Sequence, residues 1–133
     1  MADTMQFDLV SPERMLVSTQ ASEVQIPAAE GDLTVMTGHT PVITTLRPGI
    51  LKVMAAGQTS EFAVTGGFAE VSPEGVTIMA ERALPRAEMT SDVMNDWVAE
   101  AREVHSNAHP TVADAAAKLL SDMVAMGGHI GLN

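Results

Sequence analysis

Phe62-Ala63-Val64-Thr65-Gly66-Gly67-Phe68-Ala69-Glu70-Val71-Ser72-Pro73-Glu74-Gly75-Val76-Thr77-Ile78 sets three short apolar runs between two turn signals. The runs are centred on Phe62 and Val64, on Phe68 and Val71, and on Val76 and Ile78. Ser72-Pro73-Glu74-Gly75 places Pro second and Gly fourth, as a type I turn prefers, while Gly66-Gly67 reads as a bulge or tight link. Strands this short, with turns this close, leave no room for helical crossovers.

The same grammar extends towards the N-terminus. Leu51 and Val53 precede the turn-shaped Ala56-Gly57-Gln58, and Met5, Phe7 and Leu9 alternate with Gln6 and Asp8 in the period of a half-buried strand. A run over 15–19, then Val24 and Ile26 stopped by Pro27, then Leu33 and Val35, add further strands before a loop over 38–48. Eight or more such runs predict an antiparallel sandwich or flattened barrel over about residues 1–85.

Beyond Leu84-Pro85-Arg86 the period changes. Val93, Met94, Trp97, Val98, Ala101 and Val104 recur every three to four positions, opposite Asp92, Asp96, Glu100 and Glu103, which predicts an amphipathic helix. Asn107-Ala108-His109-Pro110 ends it, and Thr111-Val112-Ala113-Asp114 resembles a capping box opening a second helix. Val112, Ala116, Leu119, Leu120 and Met123 form its stripe, with Gly127-Gly128 as the expected stop. The short connection makes 86–133 an antiparallel hairpin, so the fold class is mainly β with a C-terminal helical hairpin.

Composition narrows the function. The chain of 133 residues is 46% hydrophobic but only 3% aromatic, so its core is built from aliphatic residues and Met. A net charge of -10 repels phosphate backbones and anionic headgroups, which argues against nucleic acid or a membrane surface as direct partners. With no Cys there is no thiol chemistry. The start, Met1-Ala2-Asp3-Thr4-Met5-Gln6, lacks the pattern of a signal peptide, and no apolar run approaches the ~20 residues of a membrane span. A role at a membrane would therefore need another protein to hold the chain there.

No catalytic or cofactor motif appears: there is no nucleophile elbow, no zinc-protease helix and no phosphate loop. The expectation is that the chain is not an enzyme and uses no cofactor or metal. His105 and His109 have a helical ligand spacing, but they sit at a helix end with no third ligand nearby, so a solvated terminus is the simpler reading. Gly38-His39-Thr40-Pro41 stands out as a rigid polar loop followed by the apolar stretch 42–46, a place where a scaffold often carries binding residues.

Three linked motifs resemble the ε subunit of F-type ATP synthases. They are Glu30-Gly31-Asp32-Leu33, then Gly38-His39-Thr40-Pro41-Val42-Ile43-Thr44 with Leu46-Arg47-Pro48-Gly49, then the block from Phe62 to Val71. The match in order and spacing covers residues 5–83, and the change to helices falls where that family has its hairpin. The resemblance implies a sandwich of about ten strands, bound to the γ subunit and to the ring of c subunits as part of the rotating central stalk. It places Glu30, Gly31, Asp32 and His39 at the contact with the ring, and makes Met36, Val42 and Ile43 candidate contacts with γ. Acidic loop residues suit a ring whose polar loops are basic. The implied location is the cytoplasmic face of a bacterial inner membrane, reached only through the complex.

The tail departs from the family pattern. Members with a nucleotide-sensing hairpin carry Ile/Leu-Asp-x-x-Arg-Ala, whereas Met89-Thr90-Ser91-Asp92-Val93-Met94-Asn95 lacks that arginine. From Arg86 onward there are seven acidic residues (Glu88, Asp92, Asp96, Glu100, Glu103, Asp114, Asp122) against three basic ones (Arg86, Arg102, Lys118), a net charge of -4. Two readings therefore stand: a coupling subunit whose hairpin makes at most transient contact with the α/β head, or a regulatory module whose hairpin senses ATP and inhibits hydrolysis. The second needs cations at the hairpin, for which Arg86 and Arg102 are the candidates.

Overall fold

The computed structural model describes residues 4–130. The first three residues of the N-terminal segment read for a signal peptide, and the last three of 86–133, lie outside the described residues. The strands are β1 (Met5–Val10), β2 (Met15–Ala21), β3 (Glu23–Ala28), β4 (Gly31–Met36), β5 (Val42–Thr45), β6 (Gly49–Ala55), β7 (Gln58–Val64), β8 (Gly67–Ser72), β9 (Gly75–Ala80) and β10 (Ala83–Pro85). They form two five-stranded sheets, ordered β2-β1-β9-β8-β5 and β10-β7-β6-β3-β4. Alternation drives the packing: Met5, Phe7 and Leu9 turn inward with Val24, Ile26, Val35, Leu51, Val71, Val76 and Ile78 to make one core between the sheets. The architecture is a sandwich rather than a flattened barrel.

Three expectations about the strands change. The stretch 38–48, expected as a loop, contains β5, because Val42 turns into the core and the segment pairs with β8 from Val42 opposite Val71 to Thr45 opposite Phe68. The pairing is antiparallel throughout the named ladders except between β1 and β9, where Phe7 lies opposite Val76 and Leu9 opposite Ile78 in parallel register. No helix is needed for this crossover, because the chain makes the connection by building the second sheet on the way. Pro27 does not stop β3, which runs on to Ala28. The pairing of β3 with β6 ends at Gln25, and the Pro27 carbonyl, pointing away from β4, accepts from the Arg47 N–H at 2.9 Å. The missing donor of Pro27 falls on that same side, so no β4 ladder bond is lost.

After β10 a 3-10 turn, Arg86–Glu88, leads into α1 (Ser91–Ser106), capped by Thr90, whose hydroxyl accepts from the Val93 N–H at 3.2 Å. A second 3-10 turn, Pro110–Val112, precedes α2 (Ala113–His129). The expected capping box does not form. Pro110 starts the turn early, the His109 ring accepts from the Thr111 N–H at 3.2 Å, and Val112 at the start of α2 provides no side-chain cap. Gly127-Gly128 does not stop α2 either. Met123, Met126 and Ile130 pack with the sandwich around a buried Gly127, and this packing outweighs a glycine cost of about 1 kcal/mol per residue. Val112, expected in the α2 stripe, is exposed.

The hairpin covers the outer face of the second sheet. Met89, Met94, Trp97, Ala101, Met123 and Met126 close over Ala63, with Ile50 and Leu84 at the margin. Arg82 links the halves. Its backbone N–H donates to the Thr65 hydroxyl at 3.1 Å, its guanidinium stands 5.9 Å from the Trp97 ring centroid, and its Nη2 pairs with Glu100.

Candidate functional site

The acidic loop is the tip of the β3–β4 hairpin. Ala28 pairs with Gly31, leaving Ala29 and Glu30 as a two-residue turn, and Gly31 takes φ +142°, which a side chain would adopt only with strain. The Ala29 N–H donates to the Thr45 carbonyl at 2.9 Å, so the tip is tied to the strand that leaves the other sheet. Glu30 and Asp32 are both exposed, but in different electrostatic situations. Asp32 pairs with Arg47, whose other terminal nitrogen donates to the Ala28 carbonyl. The Glu30 carboxylate has no such partner among the described residues.

His39 is not part of this tip. It follows β4, its N–H donating to the Met36 carbonyl at 3.2 Å and its Nδ1 lying 2.7 Å from the Thr40 carbonyl. The five steps from Gly31 to Met36 put the two ends of β4 roughly 17 Å apart at 3.3 Å per residue. Met36 is exposed at the His39 end of β4, an edge strand of the second sheet. Val42 points inward against the core, and Ile43, 71% exposed, points outward from the first sheet.

The outer face that Ile43 belongs to has a pattern the sequence reading missed. Thr45 lies opposite Phe68, Phe68 opposite Met79, Met79 beside Val10, and Val10 opposite Met15, so the registers align one row across all five strands. Phe68 is 52% exposed, Met79 44% and Met15 59%. The next row holds Ile43, Glu70, Thr77, Asp8 and Ser18. There hydrogen bonds from Ser18 and then Gln6 hold the Asp8 carboxyl below its ordinary range. Met79 carried a legible signal, an apolar residue at the outward parity of β9 between Ile78 and Ala80. Its neighbours in the row lie on distant strands, and no local pattern joins them.

Among the described residues no three of His, Asp and Glu are gathered as a metal ion would require. His105 lies in the last turn of α1, and the His109 Nδ1 lies 2.9 Å from the Thr111 hydroxyl. No helix among the described residues is long and apolar enough to cross a membrane.

The chain is thus a ten-stranded sandwich with a helical hairpin on one sheet, an open apolar row on the other and an acidic hairpin tip. The family model described as the ATP synthase delta/epsilon chain β-sandwich domain matches residues 4–86. The ATP synthase epsilon chain of Rhodobacter capsulatus is 65% identical over 99% of this chain and 100% of its own length. That of Paracoccus denitrificans is 56% identical over 100% of this chain and 95% of its own. The chain belongs to the epsilon-chain family of the F-type ATP synthases. The fold is also that of a chain in the cryo-EM structure of the Euglena gracilis mitochondrial ATP synthase, solved with OSCP, F1 and the c-ring. The two match with a TM-score of 0.73 at 23% identity, over 96% of this chain and 81% of that one.

Proposed function

We propose that the chain is a non-catalytic coupling element of the central stalk. The outer face of its first sheet docks on γ, and its acidic hairpin tip meets the ring of c subunits. Proton flow through the ring reaches the catalytic head by way of this rotor, and the chain is held at the cytoplasmic face of the bacterial inner membrane through its partners. The observation that carries this reading is the row Phe68, Met79, Val10 and Met15, in register on a sheet face left open while the hairpin covers the other sheet. Fully burying such side chains contributes roughly 1.5–3 kcal/mol each, enough for a few of them to anchor a subunit. A sandwich stitched by ladders on both sheets also suits torque transfer, which needs stiffness rather than chemistry.

Substituting Met79→Glu, or Phe68→Glu, places a charge on the outward face and leaves the core untouched. Each should abolish copurification with γ while far-ultraviolet circular dichroism stays that of the parent. Retention of γ by both variants would show that another surface carries the contact. The ATP-sensing alternative finds less support, since Arg86, one of its two candidate cations, already pairs with Glu61.

A further inference from the structure

We propose that Met15 and Met79 form a reversible oxidation site on the free chain, and that their sulfoxides block its docking on γ until a reductase removes them. The inference rests on the reading that the outer face of the first sheet is the γ surface, and it adds a chemical control to that surface.

Two observations single these methionines out. The first is accessibility. Met5, Met89, Met94, Met123 and Met126 are buried in the two apolar clusters, whereas Met15, Met36 and Met79 are exposed. The second is placement. Met79 and Met15 sit on either side of Val10 in the open row, two strand spacings or roughly 10 Å apart. Met36 lies outside that row, on the edge strand of the other sheet. Met15 reaches the row through a bulge. Leu9 is opposite Val17 but Val10 is opposite Met15, so one extra residue in β2 lets Leu16 and Val17 pack against the core while Met15 stays outside. The other members of the row, Phe68 and Val10, carry no sulfur, so a mild oxidant acts on the row at these two points.

The chemistry needs nothing from the protein beyond exposure. A thioether lone pair attacks one oxygen of hydrogen peroxide, and the S–O bond forms as the O–O bond breaks. The sulfur loses two electrons, the departing hydroxide takes the proton left on the transferred oxygen, and the products are a sulfoxide and water. The row thereby gains a strong acceptor where it was apolar. While the face is open, water satisfies the new oxygen and the core is undisturbed. Once γ covers the row that water is lost, and a buried acceptor without a partner opposes docking. Methionine thus gives the row both an adaptable apolar contact and a reversible off state. In the assembled rotor the same sulfurs are covered, so the control acts on the free chain, before assembly.

The test treats the full chain with hydrogen peroxide, free and with γ bound, and reads oxygen gain at each methionine by peptide mass spectrometry and γ affinity by titration. In the free chain Met15 and Met79 should oxidise about tenfold faster than Met94 or Met123, and γ should slow them by a similar factor. The doubly oxidised chain should keep the far-ultraviolet circular dichroism of the parent and bind γ about tenfold more weakly or worse, a loss of about 1.4 kcal/mol. Methionine sulfoxide reductases for both epimers, with a dithiol as reductant, should restore the affinity. Met15→Leu with Met79→Leu should bind γ about as tightly as the parent and keep that affinity after peroxide. Loss of binding by the treated double variant would put the effect on Met36 or elsewhere and overturn the assignment. Undiminished binding by the doubly oxidised chain would overturn the control itself. The docking reading then stands if Met79→Glu still blocks γ, and falls as well if it does not.

Discussion

The sandwich and the hairpin are held by different kinds of apolar material, and the difference separates a body from an attachment. Between the sheets the contacts are made by Phe7, Leu9, Ile26, Leu51 and Ile78 and by valines from most of the strands, branched or rigid side chains meeting across registers fixed by hydrogen-bond ladders. Beneath the helices the contacts are made by four methionines, Ala63 and Ala101, and a single tryptophan. Alanines occur in both clusters, but methionine, which is flexible and tolerates repacking, occurs once in the first, as Met5, and four times in the second, so this second cluster adheres without specifying one geometry as strictly. A core of the first kind opens with the whole domain. A cluster of the second kind can open locally at a lower free energy.

That contrast can be broken at three places, in descending order of effect. Phe7→Ala removes a fully buried ring from the centre of β1 and should cost about 3–5 kcal/mol of global stability, read as a lowered denaturation midpoint with an unchanged slope. If the protection of the sandwich amides survived this change, the core would not be the single cooperative body described here. Trp97→Ala should cost about 3 kcal/mol of hairpin docking, with exchange rising along α1 and α2 while β1, β8 and β9 keep their protection. Equal loss of protection in the strands would mean that hairpin and sandwich fold as one unit. Arg82→Met removes the contact with the Trp97 ring and the pair with Glu100, both partly exposed, and should loosen the same helices by about 1 kcal/mol. Because the pair with Glu100 is an exposed ion pair, the effect should shrink in high salt, and a salt-independent loss would assign it to packing alone.

Much of the fold was legible because its signals are local. The alternation of Met5, Phe7 and Leu9, the turn over 72–75 and the switch to a helical period after Pro85 are each written within a few residues. The acidic tip was legible as a motif, and its division into a paired Asp32 and an unpaired Glu30 was not, since Arg47 is 15 residues away from Asp32 in the chain. Likewise the family resemblance grouped His39 with Glu30 at one contact. A strand is a rigid spacer, and β4 holds them at its opposite ends.

What the sequence determined by itself, then, is where most of the strands and both helices lie, which parity of those strands is apolar, and the acidic, cysteine-free character of the chain, while β5 was hidden in a stretch that reads as a loop. Tertiary structure alone decided that β1 runs parallel to β9, that Pro27 is tolerated inside β3, that α2 continues through Gly127 and Gly128, and that four apolar side chains from four strands fall into one exposed row. The reason is the range of the interaction. Periodicity and turn chemistry act over a few bonds along the chain. Partner and register depend on which faces can be buried together across tens of residues, and that is settled only when the whole core closes.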